Sequence, residues 1–222
     1  MPSMSGAARI GRRETLAVLG LALAGSLAGC VGLPGHGAAP TLYRLSSARI
    51  PAGGQPPVAW QLVVEDPVAA GGLDTDRIAL EPSPLRLEYF AGARWTGTAP
   101  HLVGSLLLDS FERSGRIPAV GREASGLAAD FRLKSDLVDF EAVYGTAAAP
   151  PRVRVVLDVK LVEPAGGRIL AVRRIAAEVP ASADRMPAIV SAFDQALQKV
   201  LAETVTWTLR EGASAAPGKP QS

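Results

Sequence analysis

The sequence predicts an α+β fold: a single domain with a mainly antiparallel sheet and two amphipathic helices packed on one face. Three observations predict it. Alternating apolar and polar residues, the period of half-buried strands, recur between residues 41 and 179. Two stretches, from Pro100 to Ser114 and from Pro187 to Leu209, switch to the period of a helix. No internal repeat and no second long linker divides the folded part.

Thr41 to Leu45 reads as a first short strand. After a Gly/Pro-rich stretch, Val58, Trp60, Leu62 and Val64 alternate with more varied residues, and Asp66-Pro67 ends that strand. Arg77 to Leu80 and Leu85 to Phe90 form two strands around the turn Glu81-Pro82-Ser83-Pro84. The first helix places Leu102, Val103, Leu106, Leu107 and Phe111 on one face, and Gly115 stops it. Ile117 to Val120 is a further short strand.

Between Asp130 and Val143 the apolar positions change parity, which predicts a bulge near Ser135 to Leu137. Val153, Val155, Leu157, Val159 and Leu161 give the next strand one apolar face. The turn Pro164-Ala165-Gly166-Gly167 joins it to Arg168 to Val179 as an antiparallel hairpin. The last helix buries Ile189, Phe193, Leu197, Val200, Leu201 and Thr204, with Pro187 in its first turn, where a missing N–H is harmless.

The first 29 residues read as an export signal. Arg9, Arg12 and Arg13 precede an uncharged apolar run from Leu16 to Leu27. That run is about a dozen residues, short of the ~20 that span a bilayer. Ala28 and Gly29 then precede the only cysteine, Cys30. The pattern Leu27-Ala28-Gly29-Cys30 predicts cleavage between Gly29 and Cys30, with lipid attachment at Cys30: a diacylglyceryl group on sulfur and an acyl chain on the new amine. A short anchor helix with an incidental cysteine is the alternative, disfavoured by length, flanks and cysteine position. Arg12-Arg13 leaves both the general and the twin-arginine export routes open. Each buried methylene contributes ~0.8 kcal/mol, so two or three acyl chains anchor a protein durably where one does not. Val31, in place of an aspartate, favours the inner leaflet of the outer membrane, facing the periplasm.

The domain plan is therefore a signal at 1–29, a lipidated flexible linker at 30–40, one folded domain at 41–211, and a disordered tail at 212–222. The signal holds three of the 23 basic and one of the 21 acidic residues, so 20 of each remain beyond it. A balanced domain gives no electrostatic case for nucleic acid as a partner.

Catalytic patterns are missing. The two histidines, His36 and His101, have no companions at metal-ligand spacing. Ser105 follows Gly104 inside an apolar helix and not in a nucleophile elbow. The glycines between Gly32 and Gly37 precede no helix, so they read as linker and not as a phosphate loop. Asp130, Asp136, Asp139, Glu141 and Asp158 read as the solvated face of the strands. No metal and no cofactor is expected, and the chain reads as non-enzymatic. Tyr89, Arg94 and Trp95, beside Phe90, are candidates for a partner-contact surface; the alternative is that they pack under the first helix.

An ordered set of short motifs adds a family reading. Tyr43-Arg44-Leu45-Ser46 lies near the lipidated cysteine, followed by Val64-Glu65-Asp66-Pro67 and Leu73-Asp74-Thr75-Asp76-Arg77-Ile78. Then come the stretch from Leu87 to Trp95, the helix start Ala99-Pro100-His101-Leu102, and a last helix with Phe193, Ala196 and Leu197. Behind a lipidation signal, this set resembles the ABC-type transport auxiliary lipoproteins that accompany MCE-type (mammalian-cell-entry) lipid transporters. The resemblance implies a non-enzymatic component of a phospholipid transport system linking the two membranes. It implies a separate permease and ATPase, an MCE-domain protein as partner, and a homo-oligomeric ring docked at the far end of the conduit. It carries no active-site positions. The alternative is a lipoprotein adaptor or activator of another envelope complex, such as a cell-wall synthase.

Overall fold

The computed structural model describes residues 39–50, 56–145 and 149–216. The signal and most of the linker, Gly29 and Cys30 included, lie outside the described residues. The unit that begins at Pro40 is α+β, with nine strands in one sheet and two long helices.

In chain order the elements are β1 (Thr41–Tyr43), β2 (Leu62–Val64), β3 (Val68–Ala69), β4 (Arg77–Ser83) and β5 (Arg86–Trp95), then α1 (Ala99–Ser114) and β6 (Val120–Gly121). A 3-10 turn at Glu123–Ser125 precedes β7 (Phe131–Val143), β8 (Arg152–Val162), β9 (Ile169–Pro180) and α2 (Met186–Ala215).

The spine is β7. One of its edges pairs with β8 from Arg132 to Val143, and β8 pairs with β9, both antiparallel. Its other edge is shared by three strands in succession: β2 at Phe131 to Leu133, β3 at Asp136 and Leu137, and β4 at Glu141 to Val143. All three run parallel to it, as do β1 beside β5 and β6 beside β2. The sheet is therefore mixed, and not mainly antiparallel as the sequence predicted. The reason is that a parallel pair needs a crossover of a dozen or more residues. Such partners lie far apart in the chain and leave no local signal.

The predicted bulge in β7 is present at Val138, where the register with β8 shifts between Leu137 and Asp139. It explains the parity change: Leu133 and Leu137 before it and Phe140 and Ala142 after it all reach the core. The stripe predicted for α2 is buried at all six positions. Gly115 ends α1 in the left-handed conformation (φ 61°), its N–H donating to Glu112 O at 3.1 Å.

Both helices cover one face of the sheet and touch each other, α1 over β2, β3 and β6, and α2 over β7, β8 and β9. At the centre Phe193 from α2 meets Trp95 and Phe140, with ring centroids 5.1 Å away in each case. The helix α2 runs past the predicted end at Leu209. Gly212 is buried in its last turn against the Trp60 ring, which leaves no room for a side chain there. Residues 212–215 are thus helical and not tail, while 217–222 lie outside the described residues.

The β4–β5 hairpin departs from the predicted turn. Pro82 lies inside β4, just past the segment paired with β7, at a register irregularity that tolerates a missing N–H. The turn is made instead by Pro84 and Leu85. Leu85 takes φ 70° with its side chain fully in solvent. A left-handed leucine is disfavoured by ~1–2 kcal/mol, partly offset by the greater unfolded freedom of glycine. Leu85→Gly is therefore expected to stabilise the domain by about 0.5–1 kcal/mol, seen as a higher midpoint in urea. A lower midpoint would show that the leucine has a partner in the folded monomer.

Candidate functional site

The structure separates the three residues predicted as a partner surface. Trp95 is only 1% exposed and belongs to the core, so its reading as a contact residue is corrected. It is held there because β1 closes over Ala93 to Trp95 and α2 packs behind. Tyr89 is half-buried; its hydroxyl donates to Gly72 O at 2.8 Å, and the Arg77 guanidinium lies 3.8 Å from its ring centroid. Arg94 is also half-buried, with Nη1 donating to Asp76 Oδ1 at 2.6 Å. Between Tyr89 and Arg94 the strand loses register with β4, and Gly92 takes φ 67°. The irregularity re-aims successive side chains, so the three never form one patch. Arg86 to Gly92 remain a strand edge paired only with β4 among the described residues.

Around α1, His101 meets Asp66 directly, and Ser105 is linked to it through Arg122. The His101 ring nitrogen Nδ1 lies 3.0 Å from Asp66 Oδ2, and Arg122 donates through Nη1 to the same carboxylate. Arg122 Nη2 donates to Ser105 Oγ at 2.7 Å. Gly104 makes this possible, since any Cβ there would fall on the Asp66 side chain. The hydroxyl of Ser105 faces a guanidinium and no base, so the cluster fastens α1 to the Asp66-Pro67 turn and does not activate a nucleophile. No group of three or more His, Cys, Asp or Glu residues among those described is placed to hold a metal.

The helix-free face of the sheet carries four of the five predicted carboxylates in ion pairs, while Asp130, just before β7, accepts from the Gln61 N–H at 2.8 Å. Lys160 Nζ donates to Asp136 at 2.7 Å, and Arg174 donates twice to Asp158, at 2.7 and 2.6 Å. Those bonds hold the Asp158 carboxyl below its ordinary range. Glu141 is different. It is 7% exposed, so its reading as a solvated residue is corrected. It lies in the stretch of β7 that is paired on both edges, with β4 and with β8, and the side chains of Glu81 and Arg154 crowd it from either side.

Arg154 serves Glu141 at 2.7 Å, Glu81 at 2.9 Å and Asp139 at 3.1 Å. One guanidinium thus faces three carboxylates. Burial pushes the Glu141 carboxyl above its ordinary value; Arg154 opposes this, and Glu81 and Asp139 reinforce it. Glu141 and Arg154 face each other in the β7–β8 register, and Glu81 joins them from β4, a cluster the sequence reading did not foresee. Asp139 and Glu141 share this cation and are not an acid/base pair across a cleft.

Among the described residues, no helix is long and apolar enough to cross a membrane. In sequence, residues 42–205 match the family model for the ABC-type transport auxiliary lipoprotein component. The crystal structure of protein XCC0632 from Xanthomonas campestris has the same fold at 33% identity, covering 78% of this chain and 97% of that one with a TM-score of 0.74. A second, uncharacterized protein has the fold at 14% identity and a TM-score of 0.58, covering 78% of this chain and 99% of that one. The protein bll6063 of Bradyrhizobium diazoefficiens is 28% identical over 67% of this chain, which spans only 39% of that relative's length. A match over most of the folded unit, joined to this architecture, shows that the chain belongs to the ABC-type transport auxiliary lipoprotein family.

Proposed function

We propose that the protein is a non-enzymatic auxiliary component of an MCE-type phospholipid transport system linking the inner and outer membranes. The single observation that carries this is the family match over residues 42–205, which ties the chain to the cell envelope and to ABC-type transport. The signal ending at Cys30 supports a lipid anchor in the inner leaflet of the outer membrane. In this reading the permease and ATPase are separate chains, an MCE-domain protein is the direct partner, and several copies form a ring at the end of its conduit. Affinity purification of the tagged, lipidated chain from crosslinked membranes tests it. Recovery of an MCE-domain protein with its permease and ATPase is the expected result. Recovery of a cell-wall synthase without them would replace this reading with an adaptor role.

A closed ring needs two different patches on each copy. One proposed patch is the open edge of β5 from Arg86 to Gly92, with Arg94 just past its end, where β1 joins. Arg94→Glu is a poor probe, because it sets a carboxylate against Asp76. Arg94→Gln keeps hydrogen bonding and removes the charge. Mass photometry is expected to find a discrete oligomer for the wild type and smaller species for Arg94→Gln. A wild type that stays monomeric, on vesicles as well as in solution, excludes the ring.

A further inference from the structure

The described cations are unevenly neutralised. On the helix-free face Arg132, Lys134, Arg154, Lys160 and Arg174 all meet carboxylates. Arg49 and Lys199, on the helix side, have no carboxylate in ion-pair reach among the described residues. They share a depression with Gln195, Gln198 and Ala202 beside α2. A second depression of roughly 680 Å³ adjoins it through Arg49 and Gln198. Its walls add Arg113, Ser47 and the apolar Leu45 and Leu106.

Asp109 is the one carboxylate lining this joined groove, and Arg113 already binds it at 2.7 Å. Asp194, on α2, is satisfied by the Ser46 amide and hydroxyl at 2.7 Å and by Gln198 Nε2 at 2.7 Å. Those donors are neutral, so the Asp194 charge offsets part of the field; Arg49 and Lys199, without an ion-pair partner among the described residues, still leave the groove net positive, with side-chain amides and a hydroxyl next to apolar carbon. That set matches a phosphate diester attached to a glycerol backbone.

We infer that the groove between residues 45–50 and the two helices binds the headgroup phosphate of an anionic phospholipid in the membrane that anchors the chain. The tether supports a lipid over a soluble phosphate. Arg49 lies nine residues after Pro40, where the compact unit begins, and Pro40 lies ten residues after Cys30. At ~3.3–3.6 Å per residue, that tether spans ~35 Å at most, so the groove stays within reach of headgroups. Basic residues there add attraction to an anionic surface over about a Debye length. The inference rests on the lipid anchor, and not on the identity of the transporter.

The unit from Pro40 onward contains every described element and the whole core, so it can be tested without its anchor. Flotation would compare vesicles containing phosphatidylglycerol with vesicles of phosphatidylcholine alone. The expected result is binding to the first and not the second, weakened at least ~tenfold by Arg49→Glu with Lys199→Glu. A charge-matched control, Arg168→Glu with Arg185→Glu, both exposed and outside the groove, is expected to bind like the wild type. The proposal is overturned if the wild type ignores phosphatidylglycerol, if the groove variant binds unchanged, or if the control loses as much. Displacement by inorganic phosphate, beyond that by chloride at equal ionic strength, would assign the groove to a soluble phosphate instead. Failure of any arm leaves the transport reading intact, because that reading stands or falls on the affinity purification.

Discussion

Arg154→Met is expected to destabilise the folded unit by about 3 kcal/mol. Methionine preserves most of the packing volume, so the loss isolates the charge. Glu81, Asp139 and Glu141 would then face one another without a cation. Breaking a fully buried pair costs about 3–5 kcal/mol, and Arg154 keeps about a third of its side chain in solvent, which argues for the lower end. Urea unfolding near neutral pH would measure it. A loss below about 1 kcal/mol would mean that the cluster is as inconsequential as a surface pair.

The same cluster has a pH signature. Glu141 titrates higher in the folded state than in the unfolded one. The unfolded chain therefore releases this proton first as pH rises, and the residue's contribution to stability falls from the ordinary carboxylate range up to its own folded pKa. Glu141→Gln removes that loss while still accepting from Arg154. The variant is expected to be the more stable protein at neutral pH, with the difference vanishing as pH falls below the ordinary carboxylate range. An equal difference at every pH would show that the buried proton plays no part.

Cys30→Ser is expected to abolish lipid attachment outright. It removes the only thiol in the chain, and a serine hydroxyl does not replace the thiolate in diacylglyceryl transfer. The variant is expected either to accumulate unprocessed in the inner membrane or to be cut elsewhere and released. Growth with a fatty-acid analogue, followed by capture of the tagged chain, reads this directly. Equal labelling of wild type and variant would contradict it.

What was legible in the sequence follows from range. The β8–β9 hairpin, the α2 stripe and the β7 bulge are local patterns, and each is present in the structure. Five of the eight strand pairings are parallel and join segments far apart in the chain, so the mixed sheet was not legible. The strand predicted from Val58 shrank to Leu62–Val64, because only that part reaches β7 and β6. Strand β3, two residues long, carries too little pattern to register.

At the candidate site, Trp95 was a candidate contact residue with packing in the core as the favoured alternative, and three rings meeting at the centre decide for core. Glu141 looked solvated because strand alternation reveals a face and not what lies over it. Arg49 and Lys199 are 150 residues apart and were not singled out. Only the fold puts them in one groove.

The proposed role is assistance to phospholipid transport without catalysis, and it rests on the family match. The most direct measurement is ATP-driven transfer of labelled phospholipid between vesicles, with the transporter recovered in the affinity purification placed on one side and this lipoprotein anchored on the other. The account predicts transfer that depends on the lipidated wild-type chain and is lost with Cys30→Ser. Transfer at the same rate without the lipoprotein would contradict it.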